Sequence, residues 1–325
     1  MAEEKILVDR VIKKEVDAKG HFVRQKNRFT TPFWNGKGEA PAEVTLPVEA
    51  NRYRILWAPV CPWAHRSIIV RKLLGLDKVI SVGTLDPIRP DLPYSDWAFT
   101  LDEGEVDPVL GIHYISEAYK KADPEYSGRY TVPSVVDLKT GAVVNNDYFN
   151  LTRYWETEWT EFHKEGAPDL YPIELRDEID ALNDILFHEV NNGVYKAGFA
   201  RSQEAYEEAC DLVFNRFEEL EKRLASSRYL FGDKITESDV RLYVTLARFD
   251  CAYFNGFRVN RKMVKDYPNL WGYARDLYQQ PGFGETTNFE AIKKHYHLCC
   301  LTTNPHKILP LGPEIELWNT PHGRG

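Results

Sequence analysis

Cysteine is sparse in this 325-residue chain, limited to Cys61, Cys210, Cys251, Cys299 and Cys300. Five thiols over this length form no disulfide framework, and no two stand two to four residues apart as zinc-binding pairs do. Reduced thiols and no metal site are therefore expected. His295 and His297 come nearest to a ligand pair among the nine histidines, and two side chains alone do not hold an ion. Long apolar runs are also missing, since no window approaches the ~18 consecutive apolar residues of a membrane helix. The opening MAEEKILVDRVIKK is charged and lacks the apolar core of a secretory signal. With a net charge of −8 and scattered basic residues, the chain carries no electrostatic footprint for nucleic acid or an anionic membrane. These absences lead to the expectation of a folded cytoplasmic protein with neither nucleic acid nor membrane as a partner.

What is present fits a globular chain, with 43% hydrophobic and 28% charged residues. At ~100 to 200 residues per domain, two domains are expected. Residues 1–50 are rich in charge and turn formers and read as an N-terminal extension packed on the core, with Phe33 and Trp34 as contacts. From Tyr53 the pattern tightens: YRILWA is a strand, Ser67 to Leu74 a helix ended by Gly75, and VISVGTL a second strand. The stretch 86–128 is too long for an ordinary connection and reads as an insertion with a helix at ISEAYKKA. YTVPSVVD and GAVVNN form a strand pair joined by LKTG, and NDYFNLTRYWETEW a helix opened by Asn146 or Asp147. The resulting order over 51–160 is a small mixed sheet with helices.

From about 170 to 300 the pattern is helical only. ELRDEIDALNDILFHEV places Ile179, Leu182, Ile185, Leu186 and Val190 on one face and should stop at Asn192-Gly193. The next helix repeats this with Ala209, Leu212, Val213, Phe217, Leu220 and Leu224. Thr236-Glu-Ser-Asp239 is a variant capping box opening VRLYVTLARFD. The tail, 301–325, should be irregular. The fold class is thus α/β followed by all-α.

The chemistry centres on APVCPWAHR, residues 58–66. Cys61-Pro62 at a strand-to-helix corner is the placement that thiol-disulfide enzymes use, because helix amides stabilise a thiolate and Pro suits the first turn. The partner cysteine usual three positions on is here Ala64. A mixed disulfide on Cys61 must then be released by a thiol from solution, of which glutathione is the most abundant in many cells. Thr131-Val132-Pro133 adds a second element: a proline before a strand can be cis and can present the preceding backbone N–H and C=O to an extended peptide.

These elements together resemble the soluble glutathione transferase fold, a thioredoxin-like domain followed by a helical one. More narrowly, CPWAHR, GRYTVP, NNGVYKAGFA, RFDCAYFNGFRVN, IKKHY and NPHKILPLGP resemble the glutathionyl-hydroquinone reductases, the Xi class, from about Trp34 to Gly312. The resemblance implies no tightly bound cofactor, glutathione as cosubstrate, glutathionylated aromatic small molecules as substrates, and a homodimer. It implies Cys61 as nucleophile, Trp97 and Arg129 near glutathione, and Val132 for its backbone pairing. Tyr195, Tyr253 and Tyr296 match the tyrosines that contact the hydroquinone oxygens, and phenols that both donate and accept suit that task.

One departure stands out. Where the family usually has Glu-Ser to take the γ-glutamyl amine and carboxylate, this chain has Asp147-Tyr148. Asp keeps the charge with a shorter reach, while Tyr cannot occupy the space of Ser, so weakened or tilted glutathione and a related peptide thiol both stay open. His297 stands where a second tyrosine is common. The competing readings are an omega-like thiol transferase or dehydroascorbate reductase, and a non-enzymatic scaffold on the same fold.

Overall fold

The computed structural model describes residues 15–39, 41–90, 95–299 and 304–324. The opening MAEEKILVDRVIKK and Cys300 lie outside the described residues. The chain forms two compact units, Lys26–Asp169 and a second made of Leu170–Gly325 with the residues up to Gln25. Within the stretch read as an extension, 1–50, the described residues 15–25 group with the second unit and those from Lys26 with the first.

In the first unit, β1 (Phe33–Trp34) and β2 (Leu46–Pro47) form a short parallel pair. Phe33 is buried, 5.1 Å from the Tyr53 ring and 5.7 Å from that of Trp159. The main sheet holds β3 (Tyr53–Trp57), β4 (Ile80–Thr84), β5 (Ser134–Asp137) and β6 (Ala142–Asn145) in the order β4-β3-β5-β6. β3 runs parallel to β4 and antiparallel to β5, and β6 returns antiparallel to β5 through the LKTG turn. Every residue of β3 is buried, as a central strand covered on both faces requires.

Among these buried residues is Arg54, which donates to Asp107 Oδ2 from Nη2 at 2.7 Å and from Nε at 3.0 Å. Asp107 also takes the amides of Val109 and Leu110, so one carboxylate fastens the long insertion to the sheet. A Cβ on Gly83 would lie 2.8 Å from that carboxylate and 2.7 Å from Leu56, so glycine is what lets β4 pass this pair. The helices of the unit are α1 (Pro62–Leu74), closed by Gly75 at φ 77°, α2 (Ile115–Ala122) and α3 (Leu151–Thr157). The last begins later than Asn146 or Asp147. The Asp147 carboxylate accepts the amides of Phe149 and Asn150 and folds residues 148–150 into a turn before the helix starts.

The second unit is helical. α4 (Arg176–Ile185) passes into a π-helical turn, Leu186–Asn191, and α5 (Gly193–Gly198) follows at once. Asn192-Gly193 thus ends nothing: Asn192 is right-handed helical, and a Cβ on Gly193 would meet Val213 at 2.9 Å. The glycine serves close helix packing here. α6 (Gln203–Leu224) starts at the Ser202 cap and buries Ala209, Val213, Phe217, Leu220 and Leu224, with Cys210 and Phe214. Leu212, expected on this face, is 41% exposed because 3.6 residues per turn carry it off the side of the stripe.

α7 (Glu237–Arg248) opens with the Thr236/Asp239 capping box and continues as a π-helical turn, Phe249–Tyr253. α8 (Pro268–Gln279) and α9 (Phe289–Leu298) complete the unit's longer helices. The tail is less irregular than its prolines suggest. A 3-10 segment at Ile315–Asn319 buries Trp318 against Trp271 at 4.9 Å and Phe289 at 5.1 Å.

Candidate active site

Cys61 ends the loop after β3 as the backbone cap of α1, at φ −79° and ψ 118°, with Pro62 in the first turn. The bend is held by Cys61 N donating to Ala58 O at 2.9 Å and His65 N donating to Cys61 O at 3.0 Å. Its half-buried thiol donates to the Val132 carbonyl at 3.2 Å, and the Val132–Pro133 bond is cis. The sulfur and the backbone edge expected to receive a peptide are therefore in direct contact.

The segment that delivers Val132 is braced by aromatic rings. Tyr119 on α2 donates to Thr131 O at 2.7 Å, Tyr126 donates to Arg129 O at 2.8 Å, and the two rings stack at 5.3 Å. Asn146 Nδ2 bonds both the Tyr119 hydroxyl and Thr131 Oγ1. Burial pushes the Tyr119 hydroxyl up to about 12, so it stays a neutral donor at physiological pH. Trp97 is 3% exposed, its carbonyl accepting from Ile115 N and its ring covered by the Arg89 guanidinium at 4.3 Å. Asp147 spends both oxygens locally, the second on Asn150 Nδ2 at 2.8 Å. Tyr148 sets its ring 4.8 Å from that of Trp63.

In the helical unit the three expected tyrosines meet. Tyr195 lies on α5, Tyr253 ends the π-helical turn after α7, and Tyr296 lies on α9. The Tyr195 and Tyr296 hydroxyls are 2.6 Å apart, and those of Tyr253 and Tyr296 3.3 Å. One ring braces all three: Phe257 stacks on Tyr253 at 5.3 Å and stands edge-on to Tyr195 at 5.3 Å and Tyr296 at 5.5 Å. Gly198 makes room for it, since a Cβ there would fall 2.4 Å from the Phe257 ring. Burial, reinforced by the neighbouring phenols, drives the Tyr253 and Tyr296 hydroxyls well above their usual range, and the buried Arg248 opposes this. The cluster thus gathers neutral phenols that can donate and accept, with a cation near enough to favour negative charge on them.

Two family models match the chain: the glutathione S-transferase N-terminal domain over residues 60–158 and the C-terminal domain over residues 203–276. The glutathionyl-hydroquinone reductase YqjG of Escherichia coli is 42% identical over 85% of this chain and 83% of its own. Its glutathione-bound structure superposes with a TM-score of 0.83 at 40% identity, over 91% of this chain and 96% of that one. The Xi glutathione transferase of Phanerochaete chrysosporium gives a TM-score of 0.85 at 38% identity, covering 93% and 95% of the two chains. The chain belongs to the Xi-class glutathione transferases. A glutathione S-transferase omega-like protein of Schizosaccharomyces pombe is also similar, 38% identical over 90% of this chain and 94% of its own.

The Xi-class chain accordingly has the thioredoxin-like domain followed by a helical domain that its family resemblance implied. Its His297 is a buried ring whose Nε2 lies 3.0 Å from the Cys251 carbonyl, so that nitrogen carries the proton, and burial lowers its pKa. His295 and His297 join no cluster: among the described residues no group of three or more His, Cys, Asp or Glu could hold a metal ion. Nor is any described helix long and apolar enough to cross a membrane. Sequence reasoning missed Tyr119, which holds the Val132 segment, and Phe257 and Arg248, which act on the tyrosine cluster. The last two lie within the quoted stretch RFDCAYFNGFRVN, but their role depends on the partners that packing brings to them.

Proposed function

We propose that this Xi-class protein is a glutathionyl-hydroquinone reductase acting through Cys61. The Cys61 thiolate attacks the sulfur of a glutathionyl-hydroquinone. The ring C–S bond breaks, the ring carbon takes the electron pair and a proton, hydroquinone leaves, and a Cys61–glutathione disulfide remains. A second glutathione, as thiolate, attacks the glutathione sulfur of that disulfide, giving oxidised glutathione and returning the Cys61 thiolate. Val132 offers glutathione its backbone edge, with Trp97, Arg129, Asp147 and Tyr148 around the peptide. Tyr195, Tyr253 and Tyr296 hydrogen-bond the quinol oxygens and take up charge as the C–S bond breaks.

The observation that carries this reading is the converged set of three buried phenols. A general disulfide or dehydroascorbate reductase needs the lone cysteine but has no use for three hydroxyls aimed at one another. The name of the Escherichia coli relative and its glutathione-bound structure support glutathione as cosubstrate. The same reading takes the protein as a cytoplasmic homodimer, the dimer resting on class resemblance and checked by light scattering in solution.

The decisive assay supplies glutathionyl-hydroquinone and glutathione to the protein and to Cys61→Ala. Hydroquinone release should fall at least ~10³-fold in the variant, as expected when a covalent nucleophile is removed. Release by the variant equal to that of the wild type would sink the reading. Turnover of dehydroascorbate in its place would favour the omega-like alternative. Absence of a glutathione adduct on Cys61 after exposure to oxidised glutathione would favour a scaffold.

A further inference from the structure

The strap of residues 15–25 is tied to the helical unit along its length. The His21 ring lies between Asp17, 3.0 Å from Nδ1, and Glu208, 3.1 Å from Nε2. Ser202 Oγ donates to Lys19 O at 2.8 Å, and Arg201 N donates to Gly20 O at 2.9 Å. Gly20 has φ +90°, and a Cβ there would lie 2.9 Å from Ser202 N, so glycine lets the strap close on the start of α6. Phe22 is buried against Phe199 at 5.3 Å.

These ties deliver Arg24. Its Nε donates to Asn192 Oδ1 at 2.7 Å, directly before α5, and its guanidinium lies 4.7 Å from the centre of the Tyr195 ring on that helix. Among the described contacts, Arg24 from the strap, Tyr253 from the π-helical turn and Tyr296 from α9 face Tyr195, while Phe199 and Phe257 supply apolar rings. Arg248 acts on Tyr253 and Tyr296, so a cation from a helix joins the one from the strap at this cluster. A cation on the face of a phenol ring favours negative charge on its oxygen and makes the hydroxyl a stronger donor.

We propose that Arg24 is a positioning residue for the quinol pocket, stacked on Tyr195 and fixed by Asn192 so that the Tyr195 hydroxyl is oriented and strengthened as a donor. The inference rests on the reductase reading, in which that hydroxyl meets a quinol oxygen. Arg24 itself touches no reacting atom.

The test compares wild type, Arg24→Gln, Arg24→Lys and His21→Ala in the full chain, measuring kcat, KM for glutathione, and the pH titration of tyrosinate absorbance. The Tyr195 contribution to that absorbance is identified by its loss in Tyr195→Phe. Arg24→Gln should lower kcat about tenfold, leave KM for glutathione unchanged and move the Tyr195 titration to higher pH. Arg24→Lys should recover part of kcat because it restores the charge. His21→Ala, which cuts only exposed ties of the strap, should keep the wild-type kcat. Unchanged kcat and tyrosinate titration in Arg24→Gln would overturn the proposal. So would an Arg24→Lys variant no better than Arg24→Gln, since a restored charge would then have no effect on the cluster. Failure of the reductase reading looks different: the wild type releases no hydroquinone, while the tyrosinate comparison still decides whether Arg24 acts on Tyr195.

Discussion

The two units present their chemical groups by different means. In the sheet unit the thiol and its partner are placed by backbone: Cys61 caps α1 at the end of a strand, and its sulfur touches the carbonyl of Val132. In the helical unit three phenols come from α5, a π-helical turn and α9, with Tyr195 and Tyr296 101 positions apart in the chain, and only side-chain packing brings them together. Buried carboxylates do not follow this division: Asp107 in the sheet unit takes the guanidinium of Arg54 and the amides of Val109 and Leu110, and Asp250 in the helical unit accepts two backbone amides, Val264 N at 2.7 Å and Lys265 N at 3.1 Å. A group placed by backbone tolerates change among its neighbours, while one placed by packing depends on each ring around it.

The largest expected effect that would break this contrast is at Tyr296, the hydroxyl shared by Tyr195 and Tyr253. Tyr296→Phe should lower kcat about 10²-fold, the scale of removing one preorganised donor from a developing charge. Glutathionylation of Cys61 by oxidised glutathione, followed by mass spectrometry, should proceed at the wild-type rate because that step needs the sheet unit alone. A wild-type kcat in Tyr296→Phe would mean that the cluster is core packing and that the chemistry is confined to one unit.

The same contrast explains what could be read from sequence. β3, α1 with its Gly75 end and the Thr236/Asp239 box depend on residues a few positions apart, so local pattern reveals them, whereas Val132-Pro133 offers in sequence only a bond that can be cis. Asn192-Gly193 misleads because glycine has two uses, and here closeness to Val213 prevails over a helix end. Tyr195, Tyr253 and Tyr296 stand out in the sequence only through family motifs; by periodicity they are three of eighteen tyrosines. Arg24 and Tyr119 gave no signal, because what matters is the ring or carbonyl that the fold sets against each of them.

A second effect, smaller and confined to stability, comes from Asp250. Burial outweighs its two amide donors and raises its pKa from 3.8 to about 6. Between those values the folded chain holds a proton that the unfolded chain has released, so stability is full below pH ~4 and is lost as the pH climbs through ~6. At ~1.4 kcal/mol per unit, the swing amounts to roughly 2 to 3 kcal/mol. Urea midpoints of wild type and Asp250→Asn, measured from pH 4 to 7, should lie together near pH 4 and separate towards neutral pH as the wild type alone loses stability, because Asn keeps the neutral form. Parallel curves would show that the carboxylate is not the buried acid its surroundings suggest.

The smallest effect sharpens the sheet unit's half of the contrast. Asp147 gives its oxygens to Phe149 N, Asn150 N and Asn150 Nδ2, and Tyr148 leans on Trp63, so neither side chain stands as the Glu-Ser pair of the class would. If glutathione is held chiefly by the backbone of Val132, these departures cost little. Tyr148→Ser restores a small hydroxyl, and its expected gain is that of one weak hydrogen bond, about a threefold fall in KM for glutathione at unchanged kcat. Steady-state kinetics at saturating glutathionyl-hydroquinone measure it directly. A fall of ten-fold or more would show that side chains govern the sheet unit's groups as well, and the division between backbone placement and packing placement would no longer hold.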